Sequence, residues 1–515
     1  MDVKLLERIK EVEKGIWELP KTYRKKMRVP VRIVATEKLL KDLDDGAVEQ
    51  AINVSQLPGI IGASWMMPDA HWGYGFPVGG VAAFDLKGGI ISPGGIGFDI
   101  NCGMRLLVTN LTEKEVRPKI EEIVNGLFDS IPVGVGGGGI IRLSKEEFKD
   151  VMIKGAAWAI EKGMGWPEDK EHIEENGTIQ DADPEAVSDR AIARGINQLG
   201  TLGSGNHYLE IQRVDTIFDP EFAKNVGINM AGQVVVMIHC GSRGFGHQVG
   251  TDYLNTFEPA MKKYGLSVPD PQLACAPFDS VEGKRYFSAM ACAANNAFCN
   301  RQIIAHRVRE VFEQVFGKSA RDLGMNLVYD VAHNIAKIEK FEVSNGNIPQ
   351  QVRSSHGAKS ARDDKAGLES LQRDSGAKLR LPALSKEEVG VEVVVHRKGA
   401  TRAYPDQPVI IGGSMETGSY LLKGTQGAIE KTFGSTAHGS GRTMSRTQAK
   451  KMVRGDELQK KMKEKGIFVK TASYSGLAEE AGFAYKDISE VVTAVSSADI
   501  SQPVASFRPL GNIKG

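Results

Sequence analysis

The sequence predicts a mixed helix-and-sheet chain whose strands bring polar groups to one common edge, and two observations predict it. Strand-like and helix-like segments alternate along all 515 residues without a clear linker. Four β-branched runs, at 234–238, 326–331, 391–395 and 408–411, each lead into a histidine or a glycine-serine turn. Ligands commonly collect at such strand ends.

Length and composition allow this and exclude several classes. A chain this long can bury a large core, and the 41% hydrophobic and 25% charged shares describe an ordinary soluble protein. A formal net charge of +1 excludes a protein that coats nucleic acid non-specifically, while local basic surface for RNA or another acidic substrate is allowed. The five cysteines, Cys102, Cys240, Cys275, Cys292 and Cys299, are odd in number and form no C-x-x-C pair. Reduced thiols in the cytoplasm fit that pattern better than disulfides or a structural zinc module. No apolar run is long enough to span a bilayer, so no membrane partner is expected.

In chain order, Leu5, Ile9, Val12 and Ile16 fall at helical spacing between charges and predict an amphipathic N-terminal helix. VRIVAT from Val31 reads as a strand, and 37–54 as a helix that stops before Pro58. The stretch SWMMPDAHWGYGFPVGGVAAF reads as an aromatic, glycine-rich loop in which His71 is either a hydrogen-bonded loop residue or a ligand. Thr112 and Glu115 form a capping box for a helix reaching toward Phe128. GVGGGGI at 134–140 lacks a following Lys-Ser or Lys-Thr, which makes it a turn and not a phosphate loop. A helix spans about 280–316, with Cys292, Cys299 and His306 as packing residues. The polar stretch 341–388, with Ser354, Ser355 and His356, reads as a surface excursion.

Chemistry concentrates in ISPGGIGFDINCGMRLL, where Asp99 and Cys102 stand three apart in a glycine-dense loop flanked by apolar runs. Such a loop suits a metal or phosphate site, although a lone D-x-x-C can also be a turn cap beside a small buried thiol. Further candidates are His207 in LGSGNHYLEIQ, His239 and His333 at strand ends, and His396 with Arg397 after another β-branched run. For His207, a strand would face it away from Asn206 and Glu210 and a helix would bring it toward Glu210, and periodicity does not decide between them. His438 lies in a glycine-serine turn that gives a nucleophile room. Arg442, Arg446 and Lys450 follow it, either as phosphate ligands or as a solvated basic helix.

The ordered set PDAHWGYGFPVGG, GFDINCGMR, GNHYLE, IHCGSRG, DVAHNIAK, HRKGATRA, AHGSGR and the terminal GNIKG resembles the RtcB family of RNA-splicing ligases over nearly the whole chain. The resemblance implies a single-domain α+β fold over 1–515, with a β-sheet core surrounded by helices. It implies an enzyme that seals RNA 2',3'-cyclic phosphate or 3'-phosphate ends to 5'-hydroxyl ends, using GTP and Mn2+. It implies Asp99, Cys102, His207, His239 and His333 as ligands of two manganese ions, with Cys102 bridging. Ligand chemistry alone would favour zinc, cobalt or iron, because a thiolate is soft for manganese.

His438 matches the family's guanylylated histidine. The resemblance places nucleotide contacts at Asn206, Tyr208, Glu210, Asn334, Gly412, Gly413, Ser414, Met415, Ser419, Gly439, Ser440, Gly441, Tyr485 and Lys514. Arg397, Arg402, Arg442 and Arg446 are the candidates for RNA phosphates. The implied partners are RNA, either tRNA halves or broken RNA, together with GTP and an archease-like activator. Two departures stand out: Ser440 where the family more often has alanine, and an excursion at 341–388 longer than in typical members. A two-metal phosphoesterase or a non-catalytic RNA-binding scaffold would share much of this pattern, but His438 and Lys514 argue against both. Without the resemblance, Lys514, one residue from the end, would read as a frayed, solvated charge.

Overall fold

The computed structural model describes residues 1, 3–134, 136–344, 347–351 and 390–515. Most of the polar stretch expected as an excursion, including Ser354, Ser355 and His356, therefore lies outside the described residues. Two large sheets form the core of an α+β fold. The first runs Lys10–Glu13, Ile16–Leu19, Val31–Val34, Ile60–His71, Val78–Asp85, Gly390–Lys398, Asn334–Ser344, Asn347–Gln351. The second runs Leu327–Ala332, Gly103–Thr112, Gln233–Cys240, Tyr208–Ile217, Ser501–Lys514, Ser419–Gly424, Pro408–Ile411, with Phe468–Thr471 added parallel to the end of Ser501–Lys514. The chain passes from the second sheet to the first at His333, between Ala332 and Asn334.

The buried β-branched runs form strands as expected, because both faces of Gln233–Cys240 are covered. The helix at 280–316 is Val281–Phe316. Ser280 caps its start by accepting from Gly283 N at 3.0 Å, and Gly317 ends it at φ +64°. Cys292 and Cys299 are buried in its packed face. The Thr112/Glu115 capping box is present, and the helical path continues through a 3-10 turn to Ser130.

Three expectations are corrected. The N-terminal segment makes one helical turn, Val3–Leu6, and then a hairpin of Lys10–Glu13 and Ile16–Leu19. Gly15, at φ +73°, lies in the two-residue turn, a conformation that glycine adopts without strain. Val12 is consequently 46% exposed, not on a buried helical stripe. The helix expected over 37–54 is two helices, Glu37–Lys41 and Asp45–Val54, because Thr36 and Asp44 each cap a separate start. The aromatic, glycine-rich stretch is mainly the strands Ile60–His71 and Val78–Asp85, and only 72–77 turns between them. Gly79 lets those strands approach: a Cβ there would lie 2.8 Å from Ala70 Cα.

Candidate active site

Strand register builds the site. In the second sheet, Ala332 pairs with Gly103, Gly103 with Cys240, and His239 with Tyr208. His333 and His239 therefore sit at the carboxyl ends of their strands. Cys102 and His207 sit just before the amino ends of the antiparallel neighbours. Four adjacent strands thus deliver four side chains to the same end of one sheet. His207 escaped assignment from periodicity because it belongs to the turn before Tyr208–Ile217, not to a regular element.

The side chains converge closely. Cys102 Sγ lies 3.2 Å from His239 Nε2 and 3.4 Å from His207 Nε2; His239 Nε2 lies 3.2 Å from His333 Nε2, and His207 Nε2 lies 2.7 Å from Asp99 Oδ2. Two overlapping groups result, Asp99–Cys102–His207 and Cys102–His239–His333, and Cys102 belongs to both. Such separations suit donors that share a cation at about 2.0–2.3 Å. His207 Nδ1 meets the Leu202 carbonyl at 3.1 Å, which aims Nε2 at the cluster. Burial would lower this imidazole, but Asp99 and Cys102 more than offset it and hold it well above its usual range, so a cation there would displace the Nε2 proton.

Protonation fits the same use. Burial, supported by Asp99, pushes the Cys102 thiol up to about 12, so a cation in this cradle is what would produce a thiolate. Burial holds His239 and His333 well below the usual imidazole range, leaving neutral rings whose lone pairs are free to ligate. Burial would raise Asp99, but His207 and Arg243 more than offset it and hold the carboxyl at about 2.

His438 faces this cluster, its ring centroid 4.8 Å from that of His333. Its Nδ1 lies 2.6 Å from Asp69 Oδ2, and the backbone N–H groups of His438 and Gly439 donate to the same oxygen at 3.1 and 3.2 Å. Asp69 is fully buried. Burial alone would raise its pKa, but His438 and Lys486 together hold it below the usual carboxylate range. Sequence reading quoted Asp69 only within PDAH and gave it no role. A carboxylate in an otherwise apolar strand, two residues before His71, was the available signal.

A cavity of about 320 Å³ lies over these groups. Asp99, Cys102, His239, His333 and His438 line it. So do Asn206, Tyr208, Asn334, Gly412, Gly413, Ser414, Met415, Gly439, Ser440, Gly441, Tyr485 and Lys514. His71 also reaches it, with Nδ1 3.0 Å from the Asp69 carbonyl. Glu210 and Ser419 are outside the lining: the Gln212 amide bridges them, and Asn512 holds the other Glu210 oxygen. Burial raises Glu210 to about 7.

Lys514 is buried, not frayed. The strand Ser501–Lys514 pairs it with Tyr208 on one side and Thr471 on the other, and its Nζ donates to the Gly205 carbonyl at 3.0 Å. Glu480 also lines the cavity and was missed in the sequence. It takes the Tyr485 hydroxyl and lies 3.3 Å from Arg446, 3.4 Å from Arg442 and 3.8 Å from Lys514. The acidic pair Glu479-Glu480, downstream of the lysine- and arginine-rich stretch 442–470, was its sequence signal.

The four arginines expected to meet RNA phosphates divide. Arg442 and Arg446 line the cavity. Arg397 does not: it is fully buried and makes a two-pronged ion pair with Glu339 at 2.6 and 2.8 Å. Arg402 is likewise engaged by Glu175 and Gln407 away from the cavity. Lys398, next to Arg397, lines the cavity instead, and its ammonium is held by the Tyr74, Phe76 and Gly94 carbonyls. His396 packs in the core between Phe76 and Phe84.

Fold and cavity together define an α+β protein with a candidate metal centre facing a glycine-rich, cationic wall. A model of the family described as tRNA-splicing ligase RtcB matches residues 50–377 and 381–515. Proteins named tRNA-splicing ligase RtcB from Thermococcus kodakarensis and Archaeoglobus fulgidus are each 49% identical to this chain over 98% of it and 99% of their own lengths. The one from Nanoarchaeum equitans is 46% identical over 100% of both chains. The chain belongs to the RtcB family. Among the described residues, no helix is long and apolar enough to cross a membrane.

Proposed function

We propose that this protein is a GTP- and Mn2+-dependent RNA ligase, acting in tRNA splicing or RNA repair. It joins 2',3'-cyclic phosphate or 3'-phosphate ends to 5'-hydroxyl ends through guanylylated His438 and an RNA-3'-pp-G intermediate. It works as one catalytic unit spanning 1–515, in the cytoplasm. The observation that carries this reading is the apposition of the two Cys102-sharing ligand groups with His438, whose Nδ1 lies 2.6 Å from Asp69 Oδ2; in this scheme Nε2 is the nucleophile.

Asp99, Cys102 and His207 would hold one cation, and Cys102, His239 and His333 the other. When bound, the cations supply charge neutralisation and Lewis acidity for displacement at phosphorus. His438 Nε2 attacks the α-phosphorus of GTP; an N–P bond forms, the α–β bridging P–O bond breaks, and pyrophosphate leaves. Asp69 stabilises the positive charge that develops on the ring. A cyclic phosphate is first opened by water to a 3'-phosphate. An oxygen of that 3'-phosphate then attacks the GMP phosphorus, breaking the N–P bond and giving RNA-3'-pp-G. Finally the 5'-hydroxyl attacks the RNA phosphorus, and GMP leaves as the phosphodiester closes.

Tyr485 and Lys514, which line the cavity, would read the guanine together with Glu210, whose oxygens would exchange their Gln212 and Asn512 partners for the ring N–H groups, and the turns at Gly412–Met415 and Gly439–Gly441 would carry the ribose and phosphates. Arg442 and Arg446 are the RNA-phosphate ligands of this scheme. An archease-like activator is its remaining proposed partner. The test is a joining reaction between an RNA ending in a 2',3'-cyclic phosphate and an RNA beginning with a 5'-hydroxyl, with Mn2+ present. Joined RNA, GMP and pyrophosphate in equal amounts are expected with GTP. Joining without GTP contradicts the scheme, and phosphate release without joining favours a two-metal phosphoesterase.

A further inference from the structure

Behind the cluster, the helix Val281–Phe316 sends a fully buried guanidinium, Arg301, into the floor of the site. Its Nη1 donates to the carbonyls of Asn101 at 2.8 Å and Cys240 at 2.7 Å. Its Nη2 donates to Asn101 Oδ1 at 3.0 Å and Asp330 Oδ1 at 2.8 Å, and its Nε to Asp330 Oδ2 at 2.9 Å. Each partner adjoins a candidate ligand: Asn101 lies between Asp99 and Cys102, Cys240 follows His239, and Asp330 precedes His333 by three residues. One planar group therefore ties together the three segments that carry Cys102, His239 and His333.

Asn101 is fully committed to this arrangement. Its N–H donates to the Asn334 carbonyl at 2.7 Å, its side-chain amide donates to the Ala294 carbonyl at 2.7 Å, and its backbone is left-handed at φ +51°. The adjacent backbone leaves no slack. A Cβ on Gly103 would fall 2.3 Å from the Val331 carbonyl and 2.8 Å from Arg301 Cζ.

We propose that Arg301, with Asn101 and Asp330, is a positioning unit that sets the spacing of Cys102, His239 and His333 and thereby the affinity of the cation they hold. Arg301 touches neither the cavity nor the reacting groups. It acts through the Asn101 and Cys240 carbonyls and the Asn101 and Asp330 side chains, which lie one to three residues from Cys102, His239 and His333. The inference rests on the metal reading given under Proposed function.

Arg301→Lys keeps the charge but replaces a planar five-donor fork with a point ammonium that cannot serve all four acceptor groups. Asp330 is not stranded in this variant, because Arg105 Nε still donates to it at 2.7 Å. Asn101→Gly keeps the left-handed backbone and removes the side-chain amide. Arg309→Lys is the control. Arg309 lies on the same helix, is also buried, pairs with Asp169 at 2.6 and 2.7 Å and donates to the Met325 carbonyl at 3.1 Å, but it contacts none of Asn101, Cys240 and Asp330.

The experiment titrates Mn2+ into the full-length, metal-free protein and follows free ion by electron paramagnetic resonance, alongside thermal unfolding. Arg301→Lys and Asn101→Gly should weaken one of the two binding events by about 10- to 100-fold, the usual effect of losing support behind a ligand. Arg309→Lys should lower the unfolding temperature while its Mn2+ affinities stay within about twofold of wild type. If Arg301→Lys fails to fold, Asn101→Gly decides. Wild-type affinities in the folded Arg301 or Asn101 variants overturn the proposal, as does an equal loss in Arg309→Lys. A wild-type protein that binds no Mn2+ overturns this and the metal reading together.

Discussion

The two walls of the cavity are built differently. The wall carrying Asp99, Cys102, His207, His239 and His333 hangs on the ends of four adjacent strands, and backbone register fixes its geometry before any ligand arrives. The opposite wall consists mainly of turns and long side chains, with Lys514 reaching it from the end of the paired strand Ser501–Lys514. Gly412 and Gly439 meet through a single isolated bridge, and Arg442, Arg446, Tyr485 and Lys514 are gathered by one carboxylate, Glu480. A cation would thus meet a preformed cradle, whereas an anion would have to compete with Glu480 for the same positive charges. The first wall is organised by covalent connectivity and register, the second by charge.

This contrast can be broken at graded cost. The largest effect belongs to the residue where the walls meet. His438→Ala should remove GMP adduct formation and RNA joining by on the order of 10³-fold or more, as loss of a nucleophile does; gel assays of both steps on one preparation check this. Next, Cys102→Ser should lose bound metal and activity together, because a serine hydroxyl gives up its proton far less readily than a metal-bound thiol. Since Cys102 belongs to both ligand groups, elemental analysis should find Cys102→Ser poorer in manganese than His333→Ala, which belongs to one. Two ions retained in Cys102→Ser would refute sharing.

On the charge-built wall, removing Lys514 and Gly515 should weaken GTP binding by about 1–3 kcal/mol and erode the preference over ATP, with manganese content unchanged. Calorimetry with both nucleotides measures it. A smaller effect is expected with pH. Burial raises Glu210 to about 7, with Gln212, Lys514 and Asn512 pulling the other way. The carboxylate acceptor is therefore mostly protonated at pH 6 and mostly ionised at pH 8, so GTP affinity should improve between them and Glu210→Gln should flatten the change. Smallest of all, Arg442→Ala and Arg446→Ala should each lower the salt dependence of RNA binding by about one unit of log–log slope. A conservative change at the buried Arg397 should leave that slope unaltered.

The strand-built wall was the more legible in the sequence. A β-branched run ending in histidine states both the element and the position of its polar group, and His239 and His333 stand where that pattern puts them. Cys102 and His207 precede their strands, so only strand pairing, which joins residues far apart in the chain, reveals that they share an end with the histidines. The charge-built wall was legible mainly through family resemblance. Arg397 and Arg442 look alike in sequence, yet Glu339, 58 positions from Arg397, neutralises the one, and the cavity takes the other. Asp69 and Glu480 escaped for the same reason: His438 lies 369 residues from Asp69, and the three cations around Glu480 lie 34 or more residues from it. The N-terminal hairpin was misread because its apolar spacing suits a helix until Gly15 reverses the chain.

The central claim is that the preformed cradle serves a nucleophile at His438, with Asp69 engaging Nδ1 and leaving Nε2 to attack. Peptide mapping by mass spectrometry, after incubation with GTP and Mn2+ and without acid treatment, tests it most directly. The account predicts one added GMP on the peptide containing His438, lost on mild acid exposure, absent without Mn2+ and absent in His438→Ala. A GMP adduct on any other residue, or one on His438 that forms at full rate in Asp69→Asn, would contradict it.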